Sequence, residues 1–145
     1  MPKRLIIKTL PGKTNKARAP GLNQNSSGLH SGGLGRRGED RAVEVLKNAG
    51  MEIIARNFRS PGGEVDIIAL DGQTIVFVEV KTWSVFGIEN LQYSVNFKKQ
   101  RRIIETAKYF LAVNREYNGK AVRFDVIFVG KEAVTHLAEA FMERV

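Results

Sequence analysis

The chain contains no cysteine, which removes both a disulfide framework and a thiolate metal site; any metal it binds must be held by oxygen or histidine. Histidine is scarce too: His30 and His136 stand far apart without ligand-like spacing, and both read as surface or packing residues. No apolar run approaches the roughly 18 residues of a membrane span, and the N-terminus lacks the apolar segment of a secretory signal. These absences predict a soluble protein of a reducing cytoplasm with no membrane partner. Acids are missing before Glu39. At 145 residues there is room for one domain with a real core and not for two ordinary ones.

The net charge is +8, from 23 basic and 15 acidic residues, and its distribution is more informative than its size. Lys3, Arg4, Lys8, Lys13, Lys16, Arg18, Arg36 and Arg37 account for the whole excess, so the chain from residue 38 onward is neutral. A basic arm of this kind favours polyanions such as DNA or RNA through counterion release. The alternative is a solvated leader with no specific partner. Residues 12 to 35 are rich in Gly, Ser, Asn and Pro, with no apolar period able to bury a face. Residues 1 to 34 are therefore expected to form a basic, mostly disordered tail, and residues 35 to 145 a single domain. The acid-free composition of the tail also suits an organelle transit segment or a mis-assigned translation start.

Ala42, Val43, Leu46 and Ala49 recur at helical spacing and predict a first helix over residues 36 to 48, stopped by Gly50. Glu39 falls on that buried stripe, one turn before Ala42, although an acid in a first helical turn is also favoured by the macrodipole alone. A strand follows over residues 51 to 58, with RSPGG as the turn into the next segment. Ile103, Ile104, Ala107, Phe110 and Leu111 define one face of a second helix over residues 97 to 113, with Asn96 as its N-cap. Lys98, Lys99, Arg101 and Arg102 crowd the opening turns of that helix, where cations oppose the dipole; phosphate contact is one rationale and solvated charge the other. VRFDVIFV makes a last strand over residues 122 to 129, while THLAEAF near the end has no clear assignment. The order is that of an α/β domain with a mixed sheet of about four to five strands flanked by helices.

The stretch GGEVDIIALDGQTIVFVEVKTW carries the chemistry. VDIIAL and TIVFVEV are short β-branched and aromatic runs around an Asp71-Gly72 turn signal, so they predict a hairpin. If residues 71 to 74 form the loop, Leu70 faces Ile75, Asp66 lies opposite Glu79 and Glu64 opposite Lys81. A two-residue Asp-Gly loop leaves Asp66 and Glu79 as diagonal neighbours on one face. Either way two carboxylates stand close enough to grip one divalent cation. Val76, Val78 and Val80 make the other face of this strand apolar, which buries it on both sides. Buried carboxylates are costly unless paired or metal-bound, so Asp66, Glu79 and Lys81 form a candidate site. The structural alternative is a plain ion pair of Lys81 with Glu64 or Glu79.

A carboxylate in one strand, followed by Glu, one residue and Lys in the next, resembles the PD-(D/E)XK superfamily of restriction-endonuclease-like nucleases. The wording is closer still to the bacterial YraN-type family of predicted endonucleases, which is distantly similar to archaeal Holliday junction resolvases. The matching stretches are GRRGEDRAVEVL, GGEVDIIALDG, VFVEVKT, KKQRR, RFDVIFV and THLAEAF, covering nearly everything outside the tail. The resemblance implies a restriction-endonuclease-like core, Asp66 and Glu79 as ligands of Mg²⁺ or Mn²⁺, Lys81 as the catalytic lysine and Glu39 as the helix-one acid of the site. It implies hydrolysis of phosphodiester bonds in DNA, branched or single-stranded forms included, with Lys98, Lys99, Arg101, Arg102 and Trp83 as nucleic-acid contacts. Val65 stands where the superfamily has a nominal proline, and Trp83 follows KT where the family often has Arg, a departure that would either weaken a phosphate contact or replace it by stacking on a base. The rival function is a noncatalytic nucleic-acid-binding module of the same fold, and a third is a protein-interaction domain with a basic arm. DNA, or RNA, is the expected partner, and a homodimer is an open option.

Overall fold

Val, Ile and Phe dominate three central strands, and alternate side chains from each pass to opposite sides of one sheet, where a helix covers either face. The computed structural model describes residues 5–9, 32–82 and 95–143. In chain order the elements are β1 (Leu5–Thr9), α1 (Gly32–Asn48), β2 (Glu52–Ser60), β3 (Gly63–Asp71), β4 (Thr74–Thr82), α2 (Phe97–Val113), β5 (Ala121–Val129) and β6 (Ala133–Phe141), with a 3-10 turn at Arg115–Tyr117. The sheet has six strands in the order β1-β6-β5-β4-β3-β2. β4 and β5 are parallel, and every other neighbouring pair is antiparallel. A parallel pair needs a long crossover, and α2 lies in the connection that supplies it.

Two apolar clusters result. On one face Ile103, Ile104, Ala107 and Phe110 of α2 pack on Ile68, Ile75, Phe77, Phe124, Val126 and Phe128. Phe77 sits between Phe110 and Phe124, with ring centroids 5.9 and 5.7 Å away. On the other face Ala42, Val45 and Leu46 of α1 cover Ile67, Ala69, Val76, Val78, Ile127 and Val129. Burying each such side chain contributes about 1.5–3 kcal/mol, so the central strands anchor the fold. Gly38 lets α1 approach the end of β4: a Cβ there would lie 2.7 Å from Thr82 Oγ1. Arg41 further ties α1 to the β5–β6 turn by donating to the Gly130 carbonyl.

The mixed sheet flanked by helices agrees with the sequence expectation and is consistent with a restriction-endonuclease-like core. α2 spans the residues assigned to it, and Asn96 caps it by accepting the Lys99 amide at 2.9 Å. The strand count is larger than expected, for two reasons. THLAEAF belongs to β6, whose alternation is interrupted by a register shift against β5 and by Glu139 in a left-handed conformation (φ 52°), so period-two patterning is masked. β1 lies inside the segment expected to be a disordered tail: residues 5–9 pair antiparallel with β6, whose outer edge otherwise presents unpaired backbone N–H and C=O groups. α1 likewise begins at Gly32, four residues earlier than its apolar stripe indicates. The rest of the tail, residues 1–4 and 10–31, lies outside the described residues. No helix among the described residues is long and apolar enough to cross a membrane.

Candidate active site

The β3–β4 hairpin closes through Gly72 and Gln73, with Gly72 at φ 59°, where an L side chain is disfavoured. Leu70 faces Ile75, the register the sequence predicts. That register runs only as far as Ile67 opposite Val78, although β3 continues to Gly63 and β4 to Thr82. Beyond this point the two strands are no longer paired through their backbones. The Asp66 side chain fills the seam, accepting the backbone N–H of Val80 at 2.8 Å in place of a main-chain carbonyl.

A change of face explains how Asp66 reaches that seam. Ile67 packs in the α1 cluster and Val65 in the α2 cluster, so β3 turns over at the residue between them. β2 does the same opposite it: Arg56 faces Ile67, Phe58 faces Val65, and Asn57 between them has φ 51°. Arg56 accordingly reaches Asp40 on α1 at 2.7 Å, while Phe58 stacks edge-on against Phe110 of α2. A left-handed asparagine costs about 1–3 kcal/mol, and it is retained beside the candidate carboxylates.

Glu79 is 4 % exposed and faces α2, in line with Ile75 and Phe77. Its Oε1 lies 3.7 Å from Lys81 Nζ and 3.5 Å from Lys99 Nζ, so a lysine from its own strand and one from α2 converge on a single oxygen. Its Oε2 is buried and receives no N–H or hydroxyl donor among the described residues. The Asp66 carboxyl group meets that of Glu79; burial, repulsion by Glu79 and the contact between them push it up to about 7, partly offset by the Val80 amide. Two carboxyl groups in contact at a sheet end, one with an orphaned oxygen, present hard oxygen donors suited to Mg²⁺ or Mn²⁺. Among the described residues no third Asp, Glu or His stands close enough to complete a protein cage. Mg²⁺ is commonly held by one or two carboxylates with water completing its shell, so the pair fits the ion.

The other residues expected at the site are distributed differently. Glu39 is mostly buried and is held by Asn57 Nδ2 at 3.2 Å and Arg56 at 3.7 Å, which connects it to the position facing Asp66 without joining the carboxyl pair. Glu64 pairs with Arg59 at 3.2 Å rather than with Lys81, because β3 has turned over by that point. Lys98, Arg101 and Arg102 are exposed on α2, and Arg102 lines an open cleft of about 440 Å³ with the Ser60–Gly63 turn. Trp83 lies outside the described residues. A cavity of about 1170 Å³ opens between α2 and the β5–β6 edge against Val95, Ile104 and Phe141, away from the carboxyl pair.

A second polar cluster went unrecognised in the sequence. Asp125, in RFDV, is fully buried; it accepts from Arg123 at 2.9 and 3.0 Å and from the Glu139 amide at 3.1 Å, and meets His136 Nε2 at 2.7 Å. Its burial opposes ionisation, yet His136 and Arg123 together hold its carboxyl below the usual carboxylate range. The only sequence signal was an acid between Phe124 and Val126 within a strand of apolar residues. His136 sits on β6, and nothing local in the chain announces their meeting.

The model of the uncharacterised protein family UPF0102 matches residues 38–129, from the close approach of α1 to the end of β5. The chain belongs to the UPF0102 family. A UPF0102 protein of Persephonella marina is 47 % identical over 107 residues, covering 74 % of this chain and 91 % of the relative. A UPF0102 protein of Treponema pallidum is 45 % identical over 123 residues, covering 80 % of this chain and 98 % of the relative. The UPF0102 match encloses Glu39, Asp66, Glu79, Lys81, Lys99 and Asp125, while His136 lies beyond it.

Proposed function

We propose that this UPF0102 protein is a divalent-metal-dependent nuclease of the PD-(D/E)XK type that hydrolyses phosphodiester bonds in DNA. The observation that carries this reading is the contact of Asp66 with Glu79 where β3 and β4 part, with Glu79 Oε2 buried and unpartnered. Asp66 and Glu79 would hold Mg²⁺ or Mn²⁺. When bound, such an ion supplies Lewis acidity toward the phosphate and lowers the pKa of water. Lys81, on the strand beside Glu79, offers its ammonium to the attacking water or to the charge that grows on the phosphate oxygens. Val80 fixes the Asp66 carboxyl through its amide, so one ligand is oriented by backbone rather than by a flexible side chain. Lys98, Arg101 and Arg102 on exposed turns of α2 contact flanking phosphates, with Trp83 stacking on a base.

The noncatalytic reading, a nucleic-acid-binding module of the same fold, draws on the engagement of Glu39 with Asn57 and Arg56, which leaves two acids at the centre among the described residues. A cleavage assay over linear, single-stranded, flapped and four-way-junction DNA separates the two. The nuclease reading expects cleavage that needs Mg²⁺ or Mn²⁺ and is lost, together with cation binding, in Glu79→Gln. DNA binding without cleavage in either metal would leave the binding module standing.

A further inference from the structure

Lys99 is distant in sequence from the hairpin, yet its ammonium is slightly nearer to Glu79 Oε1 than that of Lys81. One carboxylate oxygen thus faces two cations, while the other oxygen of the same group receives no N–H or hydroxyl donor among the described residues. When both are ionised, Asp66 and Glu79 carry two charges that Lys81 and Lys99 balance, so a divalent cation held by the same two carboxylates would leave an ammonium in excess. Lys99 also stands near the start of α2, where the helix dipole disfavours a cation, and the Asn96 cap bonds its backbone amide. Its side chain is 34 % exposed, which leaves it one face open toward the surface from which a nucleic acid would approach.

We infer that Lys99 is a second cation of the reaction centre: with Glu79 serving as a metal ligand, its ammonium would be free to face a non-bridging oxygen of the scissile phosphate. This rests on the nuclease reading above and assigns Lys99 a part in turnover rather than in gripping the substrate. Charge balance is the argument. Two carboxylates, one divalent cation and Lys81 leave a net charge of about +1, whereas the transition state of phosphodiester hydrolysis is close to a dianion. Adding Lys99 brings the centre to about +2 and matches it. In the ground state the diester carries a single negative charge, so most of the benefit of Lys99 arises only as the second charge develops.

The test compares wild type, Lys99→Ala and Lys99→Arg, with Arg115→Ala in the 3-10 turn beyond α2 as a charge-matched control. Three quantities are read: Ca²⁺ binding by calorimetry without DNA, DNA affinity in Ca²⁺, and single-turnover cleavage in Mg²⁺. Removing a neighbouring cation lowers the repulsion a divalent ion meets, so Lys99→Ala should bind Ca²⁺ roughly tenfold more tightly. Its DNA affinity should fall no more than about threefold while its cleavage rate falls about 100-fold, and Lys99→Arg should recover part of the rate. A loss of DNA affinity as large as the loss of rate would make Lys99 an ordinary phosphate contact and overturn the inference. So would unchanged Ca²⁺ binding, or cleavage at the wild-type rate, either of which leaves the nuclease reading intact if wild type cleaves. Wild-type protein that cleaves no substrate overturns both. Circular dichroism on each variant establishes that it is folded.

Discussion

Asp66 couples the stability of this protein to pH with a sign opposite to that of most carboxylates. Its carboxyl is raised from an ordinary 3.8 to about 7, chiefly by burial and then by Glu79. Between those values the folded state binds more protons than the unfolded chain, so stability is fullest below about pH 4 and is lost as pH rises through about 7. Three pK units at about 1.4 kcal/mol each set an upper bound near 4 kcal/mol. Asp66 is partly open to solvent, so the expected loss is about 2 kcal/mol, or roughly 6 °C in melting temperature for a domain of this size. Asp66→Asn removes the charge while its amide oxygen still accepts from Val80, and it mimics the protonated pair at every pH. Melting in chelator from about pH 5 to about pH 8 should therefore show wild type falling relative to Asp66→Asn, and Mn²⁺ at the upper end should restore wild type alone. Parallel curves for the two proteins would refute the contact between the carboxyl groups as the source of strain, and with it the metal-free description of the site.

Lys81→Ala should retain cation and DNA binding while single-turnover cleavage drops by two or more orders of magnitude, since its ammonium acts mainly on the transition state; a wild-type rate would remove Lys81 from catalysis. Asp125→Asn breaks a buried cluster on the sheet face opposite Glu79 and should cost about 3–5 kcal/mol in chemical denaturation without altering cation affinity. The Asp125 carboxyl is held low, so its contribution is present above the ordinary carboxylate range and is lost as pH falls through the depressed value; acid unfolding of wild type should be steep there and shallow in the variant. Replacing Lys13, Lys16 and Arg18 together by Gln leaves β1 and α1 intact and should flatten the log-affinity against log-salt slope for duplex DNA by about 0.9 for each phosphate the arm no longer neutralises. An unchanged slope would mean that the basic arm is a bystander.

The hairpin register was legible because it is a local matter: β-branched alternation fixes which residues share a face, and the short Gly72-Gln73 loop fixes which residues face each other. The bounds of α2 were legible for the same reason, since a cap residue and an apolar stripe both act over one or two turns. Glu39 was found on its helix by periodicity, but its engagement with Arg56 and Asn57 was not, because it depends on where β2 lies beside α1. The same limit hid Glu64 pairing with Arg59, and β1 completing the edge of β6.

By itself, then, the sequence determined the chemistry available: no thiolates, two carboxylates and a lysine on one hairpin, and a basic N-terminal arm. Only the tertiary structure decided how those groups are used. Lys99 reaches Glu79 because α2, the crossover between parallel β4 and β5, lays its first turns against the end of β4. Asp66 meets Glu79 because β3 turns over where Asn57 distorts its neighbour and stops pairing with β4. Periodicity encodes which way a side chain faces. Which charge it meets there depends on strands and helices brought together from distant parts of the chain, where the cost of burying an unpaired carboxylate selects the partners.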